Sequence, residues 1–160
     1  MKRLFALIIT FCAALTNADS AEVTAKMILK AHGSDQGLCL VVTETDATLT
    51  AALAKASRMA VQGCTKKRDL VFPGRKLLVD QGVAHQASLI FREKDHLPYG
   101  DKLINLVVCS GWSEKKASLD EILRILTPGG TAVLGNVADA VGLKAGLKKA
   151  GVSEFKTLSA

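Results

Sequence analysis

Side chains able to do chemistry are few in this sequence, and they lie far apart. His32, His85 and His96 are the only candidates for a general base, and His96, in a polar stretch between two apolar runs, is the one to test. No serine, histidine and acid follow one another in an order that suggests a nucleophilic triad, and no paired carboxylates stand out. Cys39, Cys64 and Cys109 are irregularly spaced and form no CxxC pair, so no metal site is expected. They read as small buried hydrophobes, with one disulfide left open in an oxidising compartment. Lys66-Lys67-Arg68 is either a solvated turn or a cradle for a phosphate or an acidic glycan. Trp112, the sole tryptophan, is either a stacking wall for a planar ligand or a ring folded back over a sheet edge.

The elements that would position these residues alternate along the chain. Helices are expected at 21–32, 47–57, 119–126 and 138–150, with Asp46 placed to cap the second. Apolar runs at 38–42, 59–64, 87–91, 103–109, 131–134 and 152–158 read as strands, the continuous run at 38–42 as one buried on both faces. Pro73-Gly74 should interrupt residues 66–82, giving a loop first and a helix only from about Arg75 to Gln81. This alternation predicts an α/β fold: a Rossmann-like, doubly wound, mostly parallel sheet of about six strands with helices on both faces. Ligands of such sheets bind beyond the carboxyl ends of the strands.

With 160 residues the chain makes one domain. Aromatics are 4% of it, so the core must be aliphatic. The formal charge of +6 is scattered without an aromatic-interleaved stripe, and no DNA partner is expected.

Met1-Lys2-Arg3 followed by the apolar run Leu4–Leu15 and by Thr16-Asn17-Ala18 has the layout of a secretory signal peptide. Cleavage near Ala18 would divide the chain into a leader, 1–18, and a mature α/β domain, 19–160. The protein would then be exported to a periplasmic or extracellular location, with no transmembrane segment in the mature chain. An uncleaved N-terminal helix acting as an anchor is the alternative. The run falls short of the roughly 20 residues a comfortable span requires.

Asp120 to Gly130 (DEILRILTPGG) followed by a strand resembles the helix-to-strand signature of class I S-adenosylmethionine-dependent methyltransferases. His96-Leu97-Pro98-Tyr99 with Asp101, and Leu147 to Val152, are similar to two further segments of that family, so the resemblance covers about residues 22–158. Gly37-Leu38, Leu49 to Leu53 and Lys94 to Tyr99 also resemble the degenerate methyltransferase-like domain that precedes a pyrroloquinoline-quinone-type β-propeller in exported bacterial proteins.

The resemblance implies a cofactor site, S-adenosylmethionine if active, at Thr43, Glu44, Thr45 and Asp46 after the first strand and at Thr65 and Lys66 after the second. It continues with Asp95 and His96 after the third, and Cys109, Ser110 and Trp112 after the fourth. The family's first loop is Gly-x-Gly-x-Gly; here Thr43, Thr45 and Ala47 hold the glycine positions, and β-branched residues resist positive φ. Glu44 adds a negative charge where the cofactor carboxylate would lie; at 4 Å such a pair repels by about 1 kcal/mol in water and by more in a partly buried cleft. Lys66 stands where the family has an acid for the ribose, and an ammonium cannot accept a hydrogen bond. The expectation is therefore a pseudoenzyme without cofactor, serving as a binding or interaction module. Its partner would be an acidic ligand at Lys66, Lys67 and Arg68, or another chain at an open sheet edge. The edge is expected because the family's antiparallel seventh strand has no counterpart before Ala160.

Overall fold

The computed structural model describes residues 7–11, 18–43, 45–135, 137, 140–152 and 155–158. Contacts divide the chain into two compact units, residues 14–93 and residues 1–13 with 94–160.

The first unit is a three-stranded parallel sheet with helices. Helix α1 (Ala18–His32) turns Ala21, Thr24, Ala25 and Ile28 inward, the spacing of one helical face. Strand β2 (Leu38–Val42) is buried from Cys39 onward, and helix α2 (Thr48–Ala56) is buried along Leu49–Ala54. Strands β3 (Ala60–Thr65) and β4 (Ala87–Phe91) complete the order β4-β3-β2. Leu40 lies opposite Gln62, and Gly63 opposite Leu89.

Helix α3 (Val71–Asp80), entered through a 3-10 turn at Arg68–Leu70, runs straight through Pro73-Gly74. The expected interruption there is overturned for two reasons. Pro73 falls in the first helical turn, where its missing N–H would have had no helical partner anyway. Gly74 is a packing residue: a Cβ on it would come 2.3 Å from Leu89 Cδ2 on β4.

The second unit is built on β5 (Ile104–Cys109), β6 (Leu126–Gly135), β1 (Leu7–Phe11) and β7 (Phe155–Leu158), in the order β5-β6-β1-β7, each pair of neighbours being parallel. Helices α4 (Leu119–Ile125) and α5 (Ala140–Lys149) bury Ile122, Ile125, Leu143 and Leu147. Leu106, Val107 and Val108 on β5 and Ala132, Val133 and Leu134 on β6 make an aliphatic core. Strand β1 was not expected. It comes from the apolar run read as a leader or helical anchor, and it occupies the place between β6 and β7. It is parallel to both neighbours, so among the described residues no antiparallel strand stands beside β7, and β7 is the last strand of the order. Ala18, the expected cleavage point, is the first residue of α1. Among the described residues no helix is long and apolar enough to cross a membrane.

Candidate functional site

In the unit of residues 14–93 the candidate residues sit at the ends of β2 and β3. The Thr43 N–H donates to the Cys64 carbonyl at 3.0 Å, which brings the two strand ends together. Thr43 is buried, and its hydroxyl accepts the Thr45 N–H at 3.2 Å and donates to the Asp46 carbonyl at 3.1 Å. The loop thus closes on a side chain of its own. The Asp46 carboxylate accepts the Thr48 N–H at 2.9 Å, but Ala47 stands at the N-cap of α2 and makes no side-chain cap bond, so the expected cap is corrected: Asp46 closes the turn just before the helix. Ala47 is buried, its Cβ 3.4 Å from where a Gly74 Cβ would lie, so this side chain packs into the core. Glu44 lies outside the described residues, and so does the expectation about its charge. Among the described non-glycine residues only Lys102 has positive φ, so the turn at Thr43 and Thr45 does without the conformation that glycines would supply.

The end of β3 repeats the device. Thr65 is buried, and its hydroxyl accepts the Lys67 N–H at 3.1 Å. Lys66 is half-buried and Lys67 exposed. The Arg68 guanidinium stacks on the Phe91 ring at 4.4 Å. Cys39, Cys64 and Cys109 are buried and take part in no disulfide among the described residues. Burial pushes the Cys64 thiol up to about 11, against an opposing pull from Arg92, and drives Cys39 higher still. These thiols stay protonated and fit the reading as small hydrophobes. No cluster of potential metal ligands occurs among the described residues.

In the other unit the chemistry gathers around Glu121 and Arg124, one turn apart on α4. Arg124 grips Glu121 with two 2.9 Å bonds, reaches Asp101 at 2.7 Å, and donates to the carbonyls of Tyr99 and Leu97 at 2.9 and 3.0 Å. Glu121 also accepts the Leu97 N–H at 2.8 Å. Hydrogen bonds from Arg124 hold the Glu121 carboxyl at about 2, well below the usual range, against the opposing effect of its partial burial. His96 is exposed, with Nδ1 3.0 Å from Glu121 Oε2, so the candidate base is tied into this clamp. Asp95 is exposed in the same loop.

Ser110 is half-buried after Cys109. Trp112 is buried; its backbone N–H donates to the Gly135 carbonyl at 2.7 Å and its indole N–H to the Ala117 carbonyl at 2.9 Å. The indole is thus held against the segment that leads into α4, and Trp112 lines a cavity of about 660 Å³ with Ser113, Glu114, Leu119, Leu143 and Gly146. Glu114 accepts the Leu119 N–H at 3.2 Å, and Ser118 caps α4 through the Glu121 N–H.

Solved structures share this architecture. A Methanococcus maripaludis protein assigned to the S-adenosyl-L-methionine-dependent methyltransferases aligns over 83% of this chain and 64% of its own, at 21% identity and a TM-score of 0.68. The geranyl diphosphate methyltransferase in complex with its cofactor SAM aligns over 84% and 59%, at 10% identity and 0.62. The fold is that of class I methyltransferases. The cyclase SpnF has it too, over 76% of this chain and 51% of its own, at 19% identity and 0.64. The chain spans less than two thirds of each of these three proteins. No family model matches the sequence, and no curated protein does.

A methyltransferase fold is a scaffold, and a cyclase among its holders illustrates that activity follows from the site and not from the scaffold. Reading the sequence for chemistry missed Glu121 and Arg124. Their signal was present, an acid and a base three apart on a helix. It gave no sign that the pair would reach back to residues 97–101.

Proposed function

We propose that this chain is an exported methyltransferase-like domain that transfers no methyl group and works as a binding or interaction module. One observation carries the reading. At the ends of β2 and β3, where the family resemblance puts the cofactor, the buried hydroxyls of Thr43 and Thr65 are turned into their own loops. Side chains stand where glycines would let a ligand approach the backbone. Lys66 replaces the acid that would accept bonds from a ribose. These residues do not fit S-adenosylmethionine, and no step through that cofactor follows from them.

The N-terminal pattern supports export, and an exported domain would seldom meet a cofactor made in the cytoplasm. The resemblance to the domain preceding a quinone-type propeller supports the same assignment. Of the basic residues proposed for an acidic ligand, Arg68 also stacks on Phe91.

Likeness to a geranyl diphosphate methyltransferase solved with SAM favours a second reading, an active methyltransferase with a divergent loop. Titration calorimetry with S-adenosylmethionine separates the two: no heat at micromolar concentrations is expected, and micromolar binding overturns the first. Mass spectrometry of the exported fraction should find an N-terminus at Asp19; an intact Met1 in the cytoplasm overturns export.

A further inference from the structure

Strand β1 is paired on both sides. Leu7 lies opposite Thr131 and Phe11 opposite Gly135 on β6, while Ile8 lies opposite Phe155 and Phe11 opposite Leu158 on β7. The same five residues fall inside the run read as a signal peptide. If processing removes them, β6 and β7 are left roughly 9–10 Å apart, twice the usual strand spacing, each with a row of unpaired backbone groups.

We propose that the place between β6 and β7 is a strand-acceptor site, and that Leu7–Phe11 is its exchangeable occupant. The occupant it takes is an extended, apolar polypeptide segment paired parallel to β6. The chemistry follows from the neighbours. Thr131 to Gly135 are all buried, so a strand beside them must be apolar on both faces. Leu7-Ile8-Ile9-Thr10-Phe11 meets that demand, with one small hydroxyl among four apolar side chains. Main-chain bonds to two flanking strands supply affinity, as in other strand-addition complexes. Within the precursor the leader fills the site; once the leader is gone, the site takes a segment of like chemistry in trans. The trans step rests on the export reading, whereas the acceptor itself does not.

The test uses the whole chain with a protease site placed within residues 12–17. After folding, the chain is cut and passed over gel filtration with a tenfold excess of labelled peptide spanning residues 4–13. Hydrogen exchange follows the amides of 131–135 and 155–158. The labelled peptide should replace the 1–13 fragment in the protein peak, and the same peptide carrying Ile9→Pro should not, because a proline there removes a ladder donor. Loss of the fragment with both strands still protected overturns the proposal, since β6 and β7 would then have closed on each other. Retention of the fragment without exchange, failure of the labelled peptide to enter, or equal uptake of the proline peptide overturns it as well. An intact Met1 in cells would sink the export reading and leave this result standing.

Discussion

Two regions of this molecule handle polar groups in opposite ways. At the ends of β2 and β3 each threonine hydroxyl bonds only two or three residues away, so each turn is self-sufficient. Around α4 the polar groups reach far along the chain: Arg124 bonds Leu97, Tyr99 and Asp101 as well as Glu121. Local closure makes a turn that needs no other element to satisfy its hydroxyl. Long-range closure fastens a loop to a helix, and the loop then depends on the helix. The first kind of closure depends on one turn alone; the second ties a loop to a helix more than twenty positions away.

Removing the centre of the long-range network should cost most. Arg124→Ala should lower stability by about 2 kcal/mol, screened down from its number of charge-assisted bonds because the group is partly exposed. Chemical denaturation measures the loss, and hydrogen exchange should show residues 97–101 losing protection while the Thr43 turn keeps its own. Arg124→Lys should not restore the effect, since an ammonium cannot make the forked grip.

Acid should loosen the same clamp less. The folded Glu121 carboxyl titrates near 2 and its unfolded form near the ordinary value of 4.5, so the clamp contributes fully above about pH 4.5. That contribution is lost as pH falls from there through about 2. Arg124 keeps its bonds to the Tyr99 and Leu97 carbonyls, which limits the loss. A stability profile of Glu121→Gln should be flatter across that window than that of the parent; parallel profiles would remove Glu121 from this role.

Thr43→Val keeps the buried shape and deletes the hydroxyl, leaving the Thr45 N–H and the Asp46 carbonyl to find new partners. A loss of about 1 kcal/mol is expected, and Thr43→Ser should recover most of it. Thr43→Gly should be no more stable than Thr43→Val, and calorimetry should find that it gains no S-adenosylmethionine binding, because Thr65 and Lys66 are unchanged. Smallest of all, Arg68→Ala should cost about 0.5 kcal/mol for an exposed cation over Phe91, near the limit of denaturation measurements.

Local pattern determined much of this protein. Continuous apolar runs announced β2 to β6, and the spacing of Val23, Met27, Ile28 and Ala31 announced α1, because each depends on residues within one or two turns; the face that α1 buries is instead that of Ala21, Thr24, Ala25 and Ile28, with Val23 exposed. The missing glycines at Thr43 and Thr45 were also plain in the sequence. Three features needed the tertiary structure. Helix α3 runs through Pro73-Gly74 because Leu89, on another element, requires a bare backbone at Gly74. Arg124 became the centre of a clamp because its fork meets carbonyls more than twenty positions back. Leu7–Phe11 became a strand because β6 and β7 stand on either side of it, and an apolar run carries the same signature whether it is bound for a sheet or for an export channel. Composition and periodicity decide which segments want to be buried; only the partners brought by the fold decide against what.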